Sequence, residues 1–173
     1  MIYVEAPEIL DPRWASANSI TPEDSIFLAG SITGAWNWQR EIAQKLGNCY
    51  NVFNPRRDNF DTANPAEEKI QITWEHKYLE YCKTVFFYFS HETLAPITLL
   101  EYGTFLGRGS ESDTELYVAI HPEYKRKNDV VIQTELRAPR FLPNICFDLD
   151  HGVLNLQKHK LNADYAKKKK LEW

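Results

Sequence analysis

Glu101 sits in Pro96-Ile97-Thr98-Leu99-Leu100-Glu101-Tyr102-Gly103, just after the apolar run Val85-Phe86-Phe87-Tyr88-Phe89, and is the residue best placed to do covalent chemistry. The apolar run reads as a strand buried on both faces, and Pro96 suits the first turn of a helix. Glu101 therefore falls in the opening turns of a helix near the carboxyl edge of a sheet, where open α/β sheets bind ligands. Flanked there by Leu99, Leu100 and Tyr102, its carboxylate is expected to be partly desolvated and held in place, which suits nucleophilic or acid/base work. The competing reading is a solvated helix carboxylate favoured by the helix dipole.

Other segments carry usable side chains. Gly30-Ser31-Ile32-Thr33-Gly34 offers small residues and backbone N–H groups at a helix entrance, an arrangement that holds phosphates or sugar hydroxyls. It is neither a P-loop nor a dinucleotide fingerprint, and an unliganded tight turn accounts for it equally well. Arg56 and Arg57 follow Asn54-Pro55 and can clamp a phosphate or carboxylate, or pair with Asp58 or Asp61. In Trp74-Glu75-His76, either Glu75 or His76 can partner Glu101, and Trp74 can stack on a base or be buried. His91 and Glu92 follow the buried strand near the same edge. The histidines show no metal-ligand spacing, so no metal is assigned.

The elements that must position these groups alternate. Ser25 to Ala29, Tyr50 to Phe53, the strand from about Thr84, Leu116 to Ile120 and Asn144 to Phe147 read as five strands. Helices are expected over Trp36 to Leu46, Asn64 to about Lys83, Pro96 to Leu106, Asn128 to Arg137 and from Leu154 onward, with Gly47, and then Gly107 and Gly109, as stops. That alternation predicts an α/β fold, a mostly parallel sheet of about five strands with helices on both faces. Right-handed crossovers place every strand-to-helix loop along one edge, so the Gly30, Asn54 and Glu101 segments converge. Residues 1–24, with Pro7, Pro12 and Pro22, are expected to form an arm, residues 25–153 the α/β domain, and 154–173 a helix or tail.

Composition bounds the function. At 173 residues and 43% hydrophobic content, one core is expected. The net charge of −4 argues against a nucleic-acid polymer as partner, and the run Lys167 to Lys170 reads as a solvated helix end. Cys49, Cys82 and Cys146 form no disulfide or thiolate-zinc pattern, which fits a reducing compartment. With neither a signal peptide nor a membrane span in the reading, a cytoplasmic protein is expected.

Taken in order, Phe27-Leu28-Ala29-Gly30-Ser31-Ile32, Asn54-Pro55-Arg56-Arg57, Trp74-Glu75 and Thr98-Leu99-Leu100-Glu101-Tyr102-Gly103 resemble the nucleoside 2-deoxyribosyltransferase-like proteins over roughly Ser25 to Ile120. The resemblance implies a flavodoxin-like fold and a glutamate, here Glu101, that attacks the anomeric carbon of 2-deoxyribose and releases the nucleobase. An aspartate of the family that helps protonate the base falls on His76, with Glu75 one residue away. The Gly30 turn is similar to the phosphate loop of the related deoxynucleoside 5′-monophosphate N-glycosidases. The resemblance thus implies a deoxynucleoside or deoxynucleotide substrate, transfer of the sugar to a base or to water, no cofactor, and a homo-oligomer. Gly30 to Thr33, Asn54, Arg56, Arg57 and Tyr102 are the expected substrate contacts, with Trp36, Trp38 and Trp74 for base stacking. An NAD-type glycohydrolase or an inactive nucleotide sensor are the alternatives.

Overall fold

Apolar strands joined by capped helices build a single layered unit in the computed structural model, which describes residues 1–61, 63–108 and 113–171. In chain order the elements are β1 (Tyr3–Glu5), α1 (Pro12–Ala17), β2 (Ser25–Gly30), α2 (Trp38–Leu46), β3 (Asn51–Asn54) and α3 (Pro65–Tyr81). They continue as β4 (Thr84–Phe89), α4 (Pro96–Gly107), β5 (Glu115–Ile120), α5 (Lys127–Arg137), β6 (Ile145–Cys146) and α6 (Leu149–Leu171). The strands form one sheet in the order β1-β3-β2-β4-β5-β6, and every neighbouring pair is parallel. Without β1, the remaining order is that of a flavodoxin-like doubly wound sheet.

The sixth strand comes from the segment read as an arm. Val4 pairs with Phe53, and the Ala6 amide continues the ladder by donating to the Asn54 carbonyl at 3.0 Å. Further along, the Leu10 amide donates to the Tyr78 hydroxyl at 2.9 Å, which fastens this segment to α3. Three residues carry too little alternation to announce a strand, and the partner lies far along the chain.

Local chemistry fixes the helix starts. The Asn64 side chain accepts from the Ala66 amide at 3.0 Å with Pro65 in the first turn, and Asn37 accepts from the Arg40 amide at 3.2 Å. At the start of α4, Ala95 takes a left-handed backbone, φ 44°, with no side-chain cap. Gly109, expected to help end that helix, lies outside the described residues. The last helix begins at Leu149 rather than Leu154, where Asp148 accepts from the His151 amide at 2.8 Å.

Alternation along the central strands divides the core in two. Phe27, Ala29, Val85, Phe87 and Phe89 pack against Trp74, Tyr78, Tyr102, Phe105 and Val130 of α3, α4 and α5. Ile26, Leu28, Phe86 and Tyr88 pack against Trp38, Ile42, Val153 and Leu156 of α2 and α6. Each large side chain so buried contributes about 1.5–3 kcal/mol, enough for β2 and β4 to form a rigid base for the loops above them. Two glycines permit close approaches. A β-carbon at Gly30 would lie 2.5 Å from Trp38 Cζ2 and 2.6 Å from the Tyr88 carbonyl, and one at Gly152 would lie 2.9 Å from the Phe86 ring. The outer part of α6 is tied to the start of β2 by Lys160 and Lys167, whose Nζ atoms donate to Asp24 at 2.7 and 2.8 Å. Partial burial would raise the Asp24 carboxyl, but these two lysines and Thr21 outweigh it and hold the group down at about 2.

Candidate active site

A cavity of about 390 Å³ opens at the carboxyl ends of β2 and β4. This is where the strand order reverses, the position at which doubly wound sheets bind ligands. Its floor and one wall are Gly30, Ser31, Ile32 and Thr33, leaving β2; Pro55, Arg57 and Phe60 come from the loop after β3. Glu68, Gln71, Ile72 and Glu75 line it from α3, and Thr93, Ala95 to Thr98 and Glu101 complete it from the β4–α4 connection and α4.

Three carboxyl groups therefore line one cavity, Glu68 and Glu75 from α3 and Glu101 from α4, and of these Glu75 acts on Glu101. Burial, reinforced by the charge of Glu75, pushes the Glu101 carboxyl up to about 8. Burial also raises Glu75, opposed by a hydrogen bond from Gln71, whose Nε2 donates to Glu75 Oε1 at 2.9 Å. The pair consequently keeps one proton near neutrality, and the amide favours ionised Glu75 with the proton on Glu101. His76, one position further along α3, is exposed and does not line the cavity.

The two arginines separate. Arg57 lines the cavity, pairs with Glu67 through Nη2 and lies 5.3 Å above the Phe60 ring, while its Nη1 is buried without a hydrogen-bond partner. Ser31, 2% exposed, likewise lines the cavity with an unpartnered hydroxyl. Arg56 turns the other way: Nε donates to Gln39 Oε1 at 2.9 Å, and Nη2 to the carbonyls of Ala35 and Trp36 at 3.1 and 2.9 Å. Its guanidinium binds the loop after β2 from behind instead of facing the cavity.

Other expected contacts also serve the scaffold. Asn54 is buried between the Tyr3 hydroxyl, to which it donates at 2.7 Å, and the Arg56 amide, from which it accepts at 3.0 Å. Tyr102 shares a 2.6 Å hydrogen bond with Thr134, and Trp74 is a core residue whose indole donates to the Glu8 carbonyl at 2.6 Å. Trp38 lies beneath the Gly30 turn with its indole donating to the Ser31 carbonyl at 2.8 Å, and Trp36 is exposed away from the cavity. Glu92 accepts from the Trp36 amide and from the Ser90 hydroxyl, at 3.2 and 2.9 Å, while His91 stacks on His121 with centroids 3.9 Å apart. Phe60 and Gln71 are cavity residues that the sequence reading did not single out. Gln71 was legible, standing one helical turn before Glu75 on the same face; Phe60, in a loop without periodicity, was not.

Carboxyl groups that line a switch-point cavity of a doubly wound α/β sheet can do acid/base or covalent chemistry on what binds there. The chain belongs to the family described as nucleoside 2-deoxyribosyltransferase like, whose model matches residues 23–113, a little over half of its length. No curated protein gives a match. Among the described residues, no helix is long and apolar enough to cross a membrane.

Proposed function

We propose that this protein cleaves the N-glycosidic bond of 2′-deoxynucleosides or their 5′-monophosphates and passes the deoxyribosyl group to another nucleobase or to water. The observation that carries the reading is the Glu75–Glu101 pair facing one cavity with Glu101 raised to about 8. In the reacting form the shared proton sits on Glu75. A Glu101 oxygen then bonds to C1′ as the C1′–N bond breaks, and the departing base takes its electron pair and the Glu75 proton. In the second half a base nitrogen or a water oxygen attacks C1′, Glu101 is released, and Glu75 recovers a proton. The hydroxyl of Ser31 and Nη1 of Arg57, both short of partners, support a role in holding sugar oxygens or a 5′-phosphate.

Product chromatography after incubation with deoxynucleosides and deoxynucleotides, with and without an acceptor base, tests the reading. Free base appearing only with acceptor indicates transfer; free base in its absence indicates hydrolysis. Glu101→Gln is expected to lower turnover by at least about 10³-fold while substrate still binds. A variant that keeps most of its activity removes Glu101 as nucleophile, and binding without product in the wild type makes the chain a nucleotide sensor.

A further inference from the structure

We propose that Gln71 makes the pocket selective for nucleobases of the 6-aminopurine class; this rests on the assignment of Glu75 as proton donor to the leaving base. Gln71 is 7% exposed and lines the cavity. Its Nε2 is committed twice, to the Pro55 carbonyl at 2.6 Å and to Glu75 Oε1 at 2.9 Å. Its Oε1 is buried and has no partner.

The orientation of this amide is fixed by its neighbours. A carbonyl can only accept, so turning the amide over would set Gln71 Oε1 against the Pro55 oxygen at hydrogen-bond distance and lose the bond to Glu75. The group left over is therefore an acceptor, and a buried acceptor without a donor costs about 1–3 kcal/mol until a ligand supplies one. Phe60 and Ile72 line the same cavity and offer apolar surface for a flat ring.

The position of the acceptor says which part of a ligand it meets. Gln71 is hydrogen-bonded to the carboxyl group that hands a proton to the departing base, so it addresses the base and not the sugar. Purine departure is assisted by protonation at N7, and the group beside N7 on that edge is the substituent at C6. Adenine presents N7 as acceptor and its 6-amino group as donor, whereas guanine and hypoxanthine present two acceptors. With Glu75 donating to N7 and Gln71 accepting from the amino group, a 6-aminopurine satisfies both side chains. A 6-oxopurine sets its oxygen against Gln71 Oε1.

The test compares 2′-deoxyadenosine with 2′-deoxyinosine, which differ at this position, alongside calorimetric binding of free adenine and free hypoxanthine. The expected kcat/KM ratio favours the amino compound by about 5- to 150-fold, the span of one well-made base contact. Gln71→Leu and Gln71→Met, which remove the acceptor, are expected to bring the ratio close to one. Equal use of the two nucleosides by the wild type, a preference for the oxo compound, or a preference that survives in both variants overturns the proposal. If neither nucleoside nor its 5′-monophosphate turns over, the deoxyribosyl reading fails by itself. Adenine binding that exceeds hypoxanthine binding, and that depends on Gln71, then still supports the recognition, while binding of neither base overturns it.

Discussion

At the scale of single residues, the raised Glu101 carboxyl beside Glu75 is expected to set the pH dependence of stability and, in the proposed reaction, of rate. In the proposed reaction one carboxyl is ionised and the other protonated, so kcat/KM is expected to be bell-shaped in pH, falling as pH rises through about 8, where the last proton leaves the pair. Glu75→Gln removes the acid and the repelling charge together. That variant is expected to lose roughly 10²–10⁴-fold in rate and to lose the alkaline fall of the profile; an unchanged alkaline limb rules out the shared proton. Stability carries the opposite signature of an ordinary carboxylate. The folded protein holds a Glu101 proton that the unfolded chain releases near 4.5, so stability is lost as pH rises from there through about 8. Glu101→Gln should flatten that decline, so that its Tm exceeds the wild-type value at the alkaline end; a parallel decline in both proteins shows that Glu101 is not the group responsible. Glu101 could be singled out in the sequence because an apolar strand and a helix-starting proline locate it. The choice between Glu75 and His76 could not, since adjacent positions on a helix differ by about 100° of rotation and only the packing of α3 decides which one faces the cavity.

Elements show the same division between local and distant causes. The starts of α3 and α4 were legible because Asn64, Pro65 and Pro96 act on their own backbone. The work of Arg56 was not, because its partners Ala35 and Trp36 lie in the connection after β2 and Gln39 in the first turn of α2. Desolvation lowers the guanidinium of Arg56, and its hydrogen bonds into the loop after β2 compensate for that burial. Arg56 thereby holds the cavity wall that contains Ser31 and Thr33. Arg56→Ala is expected to cost about 1–3 kcal/mol of stability and to raise KM more than it lowers kcat, with partial recovery in Arg56→Lys. Arg57→Ala, by contrast, should weaken phosphorylated ligands selectively and leave Tm nearly unchanged. Were Arg56→Ala to act selectively on phosphorylated ligands at unaltered Tm, the two assignments would have to be exchanged.

For the whole molecule, the α/β class and the convergence of loops followed from alternation alone, but the extra edge strand and the depth at which α6 docks did not. Both depend on contacts between the two ends of the chain and its middle. At Gly152 a β-carbon would lie 2.9 Å from the Phe86 ring, which also packs on Trp38 at a centroid distance of 6.2 Å. Gly152→Ala is therefore expected to destabilise by about 1–3 kcal/mol despite the better helix propensity of alanine. At Gly103, also helical but with open space where a β-carbon would stand, the same replacement should stabilise by about 0.5–1 kcal/mol. Chemical denaturation of the two variants checks the pair, and equal shifts of the same sign would show that propensity and not packing dominates. The sheet ends on one side in a three-residue strand and on the other in a two-residue strand. Margins that short offer a passing polypeptide almost no backbone to zip onto, so a chain seeking to extend this sheet finds little purchase and fibrillar stacking is discouraged.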